Sequence, residues 1–362
     1  MPLLPDAEAF KRLVDGSARG LAPAAARAVL AALAAPYALA VIARNAAYDR
    51  GLLPAARAAV PVVSVGNLTL GGTGKTPLVA WVAKTVAAQG RRPAIVSRGY
   101  GARPGERSDE AAELALLVPG VLHVADRDRV AAARLATASG AAVVVLDDGF
   151  QHRRLARDLD IVAVDATDPF GGGSIFPRGL LREPLAGLAR AQAVVLTRAS
   201  AVDADRRTAI RRQLAAACGS AMPPVWAEAH HRPVRLRSAA GSERPLESLA
   251  AARVAAFAGI GNPAAFRGSL ESCGARLAGF RGFPDHHAYT AADLDGLDRW
   301  ADGLRADLVV TTLKDLVKID RESLAGVPLV ALEIAIDVTV GGDSLRAVVV
   351  QATGGRAAEP KA

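Results

Sequence analysis

The sequence predicts an α/β fold: a parallel sheet of the P-loop NTPase type with helices on both faces, followed by a smaller C-terminal α/β subdomain. Three observations predict it. Short Val-rich runs alternate with longer helical patterns from Pro61 onward, a glycine-rich turn joins the first run to a helix, and a later run ends in two carboxylates. At 362 residues, 51% of them apolar, the chain is long enough for two domains with sizeable cores. Aromatic residues make up only 4%, so those cores are mainly aliphatic.

In chain order, the first feature is an apolar run from Ala28 to Ala43 between Arg27 and Arg44; no basic, apolar and small-residue sequence of a secretory signal precedes it. As a helix this run would reach roughly 24 Å, short of a ~30 Å hydrocarbon core, and Pro36 is expected to interrupt it, so a full span is not expected. Two readings fit the segment alone. It lies in an anionic interface with Arg19, Arg27, Arg44 and Arg50 outward and Leu30, Leu33, Tyr37, Leu39 and Ile42 inserted, or it packs as an Ala-rich helix on the body.

Strands are expected at Pro61 to Val65, Pro93 to Ser97, Ala142 to Leu146, Asp160 to Val164 and Ala193 to Thr197, with room for crossover helices such as Asp126 to Ser139. A helix from Asp203 to Ala217 follows, and the Pro- and Arg-containing stretch from Pro223 to Pro245 reads as a connection. The second α/β part has expected strands at Arg253 to Ala258, Arg276 to Phe280, Asp307 to Thr312 and Pro328 to Ile334, and helices at Pro263 to Ser272 and Thr290 to Leu304. The chain thus divides into an N-terminal helical segment (1–58), a nucleotide-binding core (59–222), a C-terminal subdomain (223–350) and a tail (351–362), with no internal repeat.

The net charge of +8 favours acidic partners such as nucleotides, phosphorylated substrates or anionic lipid. Nucleic-acid binding is not expected, because the Arg content comes without interleaved aromatics or a recognition motif. Cys218 and Cys273 form no CxxC pair, which fits a reducing compartment without disulfide framework or thiolate metal site. No obligate protein partner is evident.

The strongest local signal is the strand Val62-Val63-Ser64-Val65 running into Gly66-Asn67-Leu68-Thr69-Leu70-Gly71-Gly72-Thr73-Gly74-Lys75-Thr76 and a helix. Gly71, Gly72, Thr73 and Gly74 let backbone N–H groups face phosphate oxygens. Lys75 is placed to neutralise the β- and γ-phosphates and the Thr76 hydroxyl to ligate Mg²⁺. Thr69 stands where the usual pattern has its first glycine. Leu70 stands where partition ATPases carry a Lys, which disfavours a nucleotide switch. The second half of such a site is Val143 to Leu146 ending in Asp147-Asp148-Gly149, hard oxygen ligands at a strand's carboxyl end. Thr311-Thr312-Leu313-Lys314-Asp315 lacks the order of a guanine-reading motif. Candidates to deprotonate an acceptor hydroxyl are Asp109, His123, Asp128, His152, His286 and His287, and spacing does not rank them.

Several segments recur together: Val65-Gly66-Asn67-Leu68-Thr69 before GGTGKTP, Ser97-Arg98-Gly99-Tyr100-Gly101, Asp147-Asp148-Gly149-Phe150-Gln151-His152, Leu181-Arg182-Glu183-Pro184, Ala258-Gly259-Ile260-Gly261-Asn262-Pro263, Phe283-Pro284-Asp285-His286 and Thr311-Thr312-Leu313-Lys314-Asp315. In this order, and with the missing first glycine, the chain resembles the tetraacyldisaccharide 4'-kinase family of lipid A biosynthesis over nearly its whole length. The resemblance implies transfer of the ATP γ-phosphate to the 4'-hydroxyl of a tetraacyl glucosamine disaccharide 1-phosphate, with Mg²⁺ as cofactor. Carried over, Lys75 and Thr76 bind phosphate and metal, Asp147 and Asp148 form the second metal element, Asp109 is the base and His286 its hydrogen-bonding partner. Tyr100, Arg129 and His152 are candidate contacts to acceptor or phosphate. Ser108 and Ala111 replace the family's common Gly and Pro around Asp109. An acceptor with four acyl chains also favours the interfacial reading of Ala28 to Ala43, because withdrawing such chains from a bilayer costs on the order of 40 kcal/mol. The implied location is the cytoplasmic face of the bacterial inner membrane. The remaining alternatives are a P-loop kinase or ligase with a soluble acceptor and a nucleotide-switched binding protein.

Overall fold

The computed structural model describes residues 7–99, 108–219, 222–285 and 287–354. In chain order the main elements are α1 (Ala7–Val14), α2 (Leu21–Asp49), β1 (Val62–Asn67), α3 (Lys75–Ala87), β2 (Pro93–Ser97), α4 (Asp109–Leu117), β3 (Leu122–Ala125), α5 (Arg129–Ala138), β4 (Val143–Asp147), β5 (Leu159–Asp165), β6 (Ala193–Thr197), α6 (Ala204–Cys218), β7 (Val225–Arg237) and β8 (Glu243–Arg244). They continue with α7 (Ser248–Ala251), β9 (Arg253–Ala258), α8 (Pro263–Ser272), β10 (Arg276–Gly282), α9 (Ala291–Gly303), β11 (Leu308–Thr312), α10 (Leu313–Leu316), β12 (Ser323–Leu324), β13 (Val327–Val340) and α11 (Gly342–Thr353). Two compact units result, the first from residues up to Arg98, Leu122–His230 and Val338 onward, the second from Gly99–Val121 and His231–Asp337.

In the first unit the strand order is β7-β6-β5-β1-β4-β2-β3, and every neighbouring pair is parallel. β1, β4, β5 and β6 are buried along their whole length, which explains why they read as unbroken apolar runs rather than alternating ones. Aliphatic clusters fill the sheet faces, one around Phe150, Val162, Leu188, Val194 and Ile210, another around Val62, Val96, Ala132, Val144 and Leu155. β1 lies between β4 and β5, where the strand order turns, and its carboxyl end opens into the glycine loop and α3.

α2 departs from expectation. It continues through Pro36 as one helix of 29 residues, about 43 Å long, where the sequence predicted an interruption. Ala31, Ala32, Ala34, Ala35, Ala38 and Ala40 surround the proline, and their high helix propensity carries the helix past it. By length and composition α2 is apolar enough to cross a membrane. Its second half is nevertheless held on the unit by polar contacts: Tyr37 Oη donates to the Arg182 carbonyl (3.1 Å), Arg44 to the Gln151 carbonyl (2.9 Å), and Asp49 pairs with Arg153 (2.7 Å). Val29, Leu33, Leu39 and Ile42 stay exposed.

The second unit is built on the parallel order β10-β9-β11-β13, with short β12 antiparallel to β13 and β8 antiparallel to β7. Leu236, Leu249, Val254, Phe266, Leu270 and Val310 form its core. The stretch 223–245, read from sequence as a connection, is mostly strand. Arg235 and Arg237 hid it, because both are neutralised by Glu333 and Glu243 rather than left in solvent. Ser108 is the N-cap of α4, accepting from Ala111 N at 3.3 Å, which satisfies a helix end.

Candidate active site

The glycine loop is fixed at both ends by backbone. Leu70 N donates to the Leu180 carbonyl (2.7 Å), Arg182 N to the Leu68 carbonyl (2.8 Å), and Thr69 bridges Leu181. Thr197 Oγ donates to the Thr73 carbonyl at 2.8 Å. Gly71 and Gly74 take positive φ (107° and 76°), and a side chain at Gly71 or Gly72 would meet nothing within 4 Å, so the loop's inner face is open. Gly74 caps α3 without any side-chain bond, leaving first-turn N–H groups to an anion. Thr73 Oγ is buried there without a hydrogen-bond partner.

Lys75 reaches back over the loop, donating to Asn67 Oδ1 (3.1 Å) and lying 3.4 Å from Asp148. Asn67 is fully buried and donates from Nδ2 to the Thr69 carbonyl (2.7 Å), so it shapes the loop as well as holding the lysine. Asp148 sits just past β4 with φ 55°, a conformation tolerated by Asp that turns its carboxylate toward the loop. Arg182 Nη1 lies 2.8 Å from both of its oxygens. Burial alone would raise the Asp148 pKa, but Lys75 and then Arg182 outweigh it and hold the carboxyl below its ordinary value. Asp147, the last residue of β4, is buried and registered beside Val65 of β1. Glycine is required on both sides of this junction: a Cβ at Gly66 would come 2.5 Å from that of Phe150, and one at Gly149 would meet Ser64 Oγ at 2.7 Å.

Arg129, first residue of α5, is buried with Nε unpartnered; burial lowers its pKa, and the charge of Asp148 opposes that. His152 has a buried, unpartnered Nε2, and burial followed by the charges of Arg129, Arg154 and Arg157 pushes its pKa down to about 4. The imidazole is therefore neutral at physiological pH. The first unit thus gathers Gly71, Gly72, Thr73, Gly74, Lys75, Thr76, Asp148 and Asp147, with Arg129 and His152 coupled electrostatically to the carboxylates or to each other. Asp109 belongs to the second unit, at the first position of α4. Tyr100 and His286 lie outside the described residues.

A sequence profile of the LpxK family, tetraacyldisaccharide-1-P 4'-kinase, matches residues 26–353. The chain belongs to this family. The tetraacyldisaccharide 4'-kinase of Anaeromyxobacter dehalogenans strain 2CP-C is 45% identical over 333 residues, 86% of this chain and 87% of its own length. That of Syntrophus aciditrophicus is 37% identical over 324 residues, 83% and 87% of the two chains. Among solved structures, LpxK from Aquifex aeolicus in complex with ATP superimposes with a TM-score of 0.72 at 28% identity, over 90% of this chain and 99% of that one.

In this LpxK-family chain, sequence reasoning gave no role to Asn67, Gln151, Arg182 or Glu183, although each stood inside a quoted segment. Glu183 is 1% exposed and accepts from Asn45 and Arg190 (both 2.8 Å) and from Gln151 (3.0 Å). Gln151 also donates to the Asn67 carbonyl (2.9 Å). The signal available was the polar pair Arg182-Glu183 between apolar Leu181 and Pro184. Its meaning lay in contacts with residues more than thirty positions away.

Proposed function

We propose that the chain transfers the γ-phosphoryl group of ATP to the 4'-hydroxyl of tetraacyldisaccharide 1-phosphate, forming the bis-phosphorylated lipid IV(A). The observation that carries this reading is the Lys75–Asp148–Arg182 cluster on an open glycine loop in a chain of the LpxK family. The glycine loop and the uncapped end of α3 take the β- and γ-phosphates, and Lys75 leaves Asn67 and Asp148 to follow the charge that develops on transfer. The Thr76 hydroxyl and the carboxylate of Asp147 are hard donors that suit Mg²⁺, with Asp148 holding Arg182 in place. Among the described residues no three His, Cys, Asp or Glu side chains form a cage of their own. When bound, Mg²⁺ supplies charge neutralisation on the phosphates.

Asp109 takes the proton of the 4'-hydroxyl, assisted by His286. The hydroxyl oxygen bonds to the γ-phosphorus as the bond to the bridging oxygen breaks, and ADP leaves with that electron pair. Tyr100, Arg129 and neutral His152 are the candidate residues for recognising the acceptor or the phosphate. Within residues 59–222 the first unit serves as the nucleotide-binding kinase core, and within 223–350 the second unit serves as the second subdomain. Residues 1–58 bring the enzyme to the cytoplasmic face of the inner membrane, where the exposed Val29, Leu33, Leu39 and Ile42 enter the interface.

The test is transfer of ³²P from γ-labelled ATP to tetraacyldisaccharide 1-phosphate in mixed micelles. Wild type labels the lipid, and Lys75→Ala and Asp109→Ala each cut labelling by about 100-fold or more. Folded, ATP-binding wild type that labels no lipid would overturn the reading in favour of a soluble acceptor.

A further inference from the structure

Lys318 follows α10 in the second unit, and its side chain is only 7% exposed. Burying an ammonium is costly unless its protons are matched, and an ammonium has three to place. Two go inward: Nζ lies 3.3 Å from Asp315 Oδ1 and 3.3 Å from the His287 carbonyl. Asp315 is itself fully buried and immobilised, its Oδ2 accepting from Gly259 N (2.8 Å) and Thr312 Oγ (2.7 Å). The third direction points outward, to Asp109 Oδ2 at 3.7 Å, within ion-pair reach.

Asp109 is 41% exposed at the side chain and is not spent on capping α4, since Ser108 does that. Unaided, an exposed Asp at this position samples several rotamers. A cation held by the buried Asp315 carboxylate and the His287 carbonyl selects one. We propose that Lys318 is a positioning residue for the acceptor-deprotonating carboxylate: it holds Asp109 by Oδ2 and presents Oδ1 to the substrate hydroxyl. The inference rests on the role given to Asp109 above. Lys318 touches neither nucleotide nor acceptor in this scheme. Its contribution is the placement of another group, for which a misplacement of about 1 Å costs about 100-fold in rate.

The experiment measures kcat and KM for lipid phosphorylation by full-length wild type, Lys318→Met, Lys318→Arg, Asp109→Asn and Asp109→Asn combined with Lys318→Met. The expected result is an approximately 100-fold fall in kcat for Lys318→Met with KM for ATP unchanged, and partial recovery in Lys318→Arg. In the Asp109→Asn background, Lys318→Met costs less than about twofold, because its effect passes through the missing carboxylate. If Lys318→Met does not fold with Asp315 left unpaired, Lys318→Met with Asp315→Asn removes both buried charges and is expected to show the same kcat loss. Wild-type kcat in a folded Lys318 variant, or an equal loss in both backgrounds, would overturn the inference while leaving the kinase reading intact. Failure of wild type to label lipid would overturn the kinase reading itself, and full activity in Asp109→Asn would overturn the assignment of the base.

Discussion

Replacing Glu183 by alanine should damage stability more than any surface change, because this single buried carboxylate receives donors from three separate segments. Asn45 comes from α2, Gln151 from the segment after β4, and Arg190 from the turn before β6. With the carboxylate gone, the Arg190 guanidinium, 16% exposed, loses its ion pair and two amides lose an acceptor. Breaking a buried ion pair from one side costs about 3–5 kcal/mol, and Arg190's residual exposure places this case near about 3 kcal/mol. In urea unfolding followed by tryptophan fluorescence, with a slope of about 2–3 kcal/mol per molar, the midpoint should fall by about 1–1.5 M. Glu183→Gln keeps the shape and one acceptor and should lose less than half as much. A midpoint shift below about 0.3 M for the alanine variant, or equal shifts for both, would refute the view that this carboxylate joins α2 to the loop-bearing unit.

Gly66→Ala should cost about 1–3 kcal/mol and weaken ATP binding, read as a smaller thermal shift on adding ATP, because the new methyl meets Phe150 Cβ at 2.5 Å and its amide nitrogen at 2.8 Å. His152 has a native pKa of about 4 against 6.5 for the free side chain, so the unfolded chain takes up a proton first as pH falls. Stability is therefore full above about pH 6.5, declines by about 1–2 kcal/mol for this half-buried ring, and levels off near pH 4; His152→Gln should flatten that slope in denaturation at several pH values. On α2, Leu33→Glu with Leu39→Glu should abolish flotation with anionic vesicles while leaving ATP binding unchanged, since both side chains are exposed. Undiminished flotation would return α2 to a merely packed helix.

Much of the fold was legible because buried parallel strands announce themselves as apolar runs, and β1, β2, β4, β5 and β6 lie where those runs were read. β7 was not legible, since Pro233, Arg235 and Arg237 look like a linker until Glu333 is seen pairing with both arginines. β3 escaped notice as a four-residue edge strand without a buried face. Local motifs gave Lys75, Thr76 and the carboxylate pair. They did not separate Asp147 from Asp148, because the positive φ that turns Asp148 toward Lys75 and Arg182 is a backbone property with no residue signature at that position. That residues 108–121, with Asp109, group with the second unit is a long-range fact invisible to spacing. The same holds for Lys318, whose meaning appears only where α10 and α4 meet.

The most direct test of the central claim is the position of the phosphate in the product made from ATP and tetraacyldisaccharide 1-phosphate, determined by NMR on the isolated lipid. The account predicts one new phosphate ester, at the 4'-hydroxyl of the distal glucosamine, with one ADP formed per lipid. A phosphate elsewhere on the lipid, or ADP released with the lipid unchanged, would contradict it.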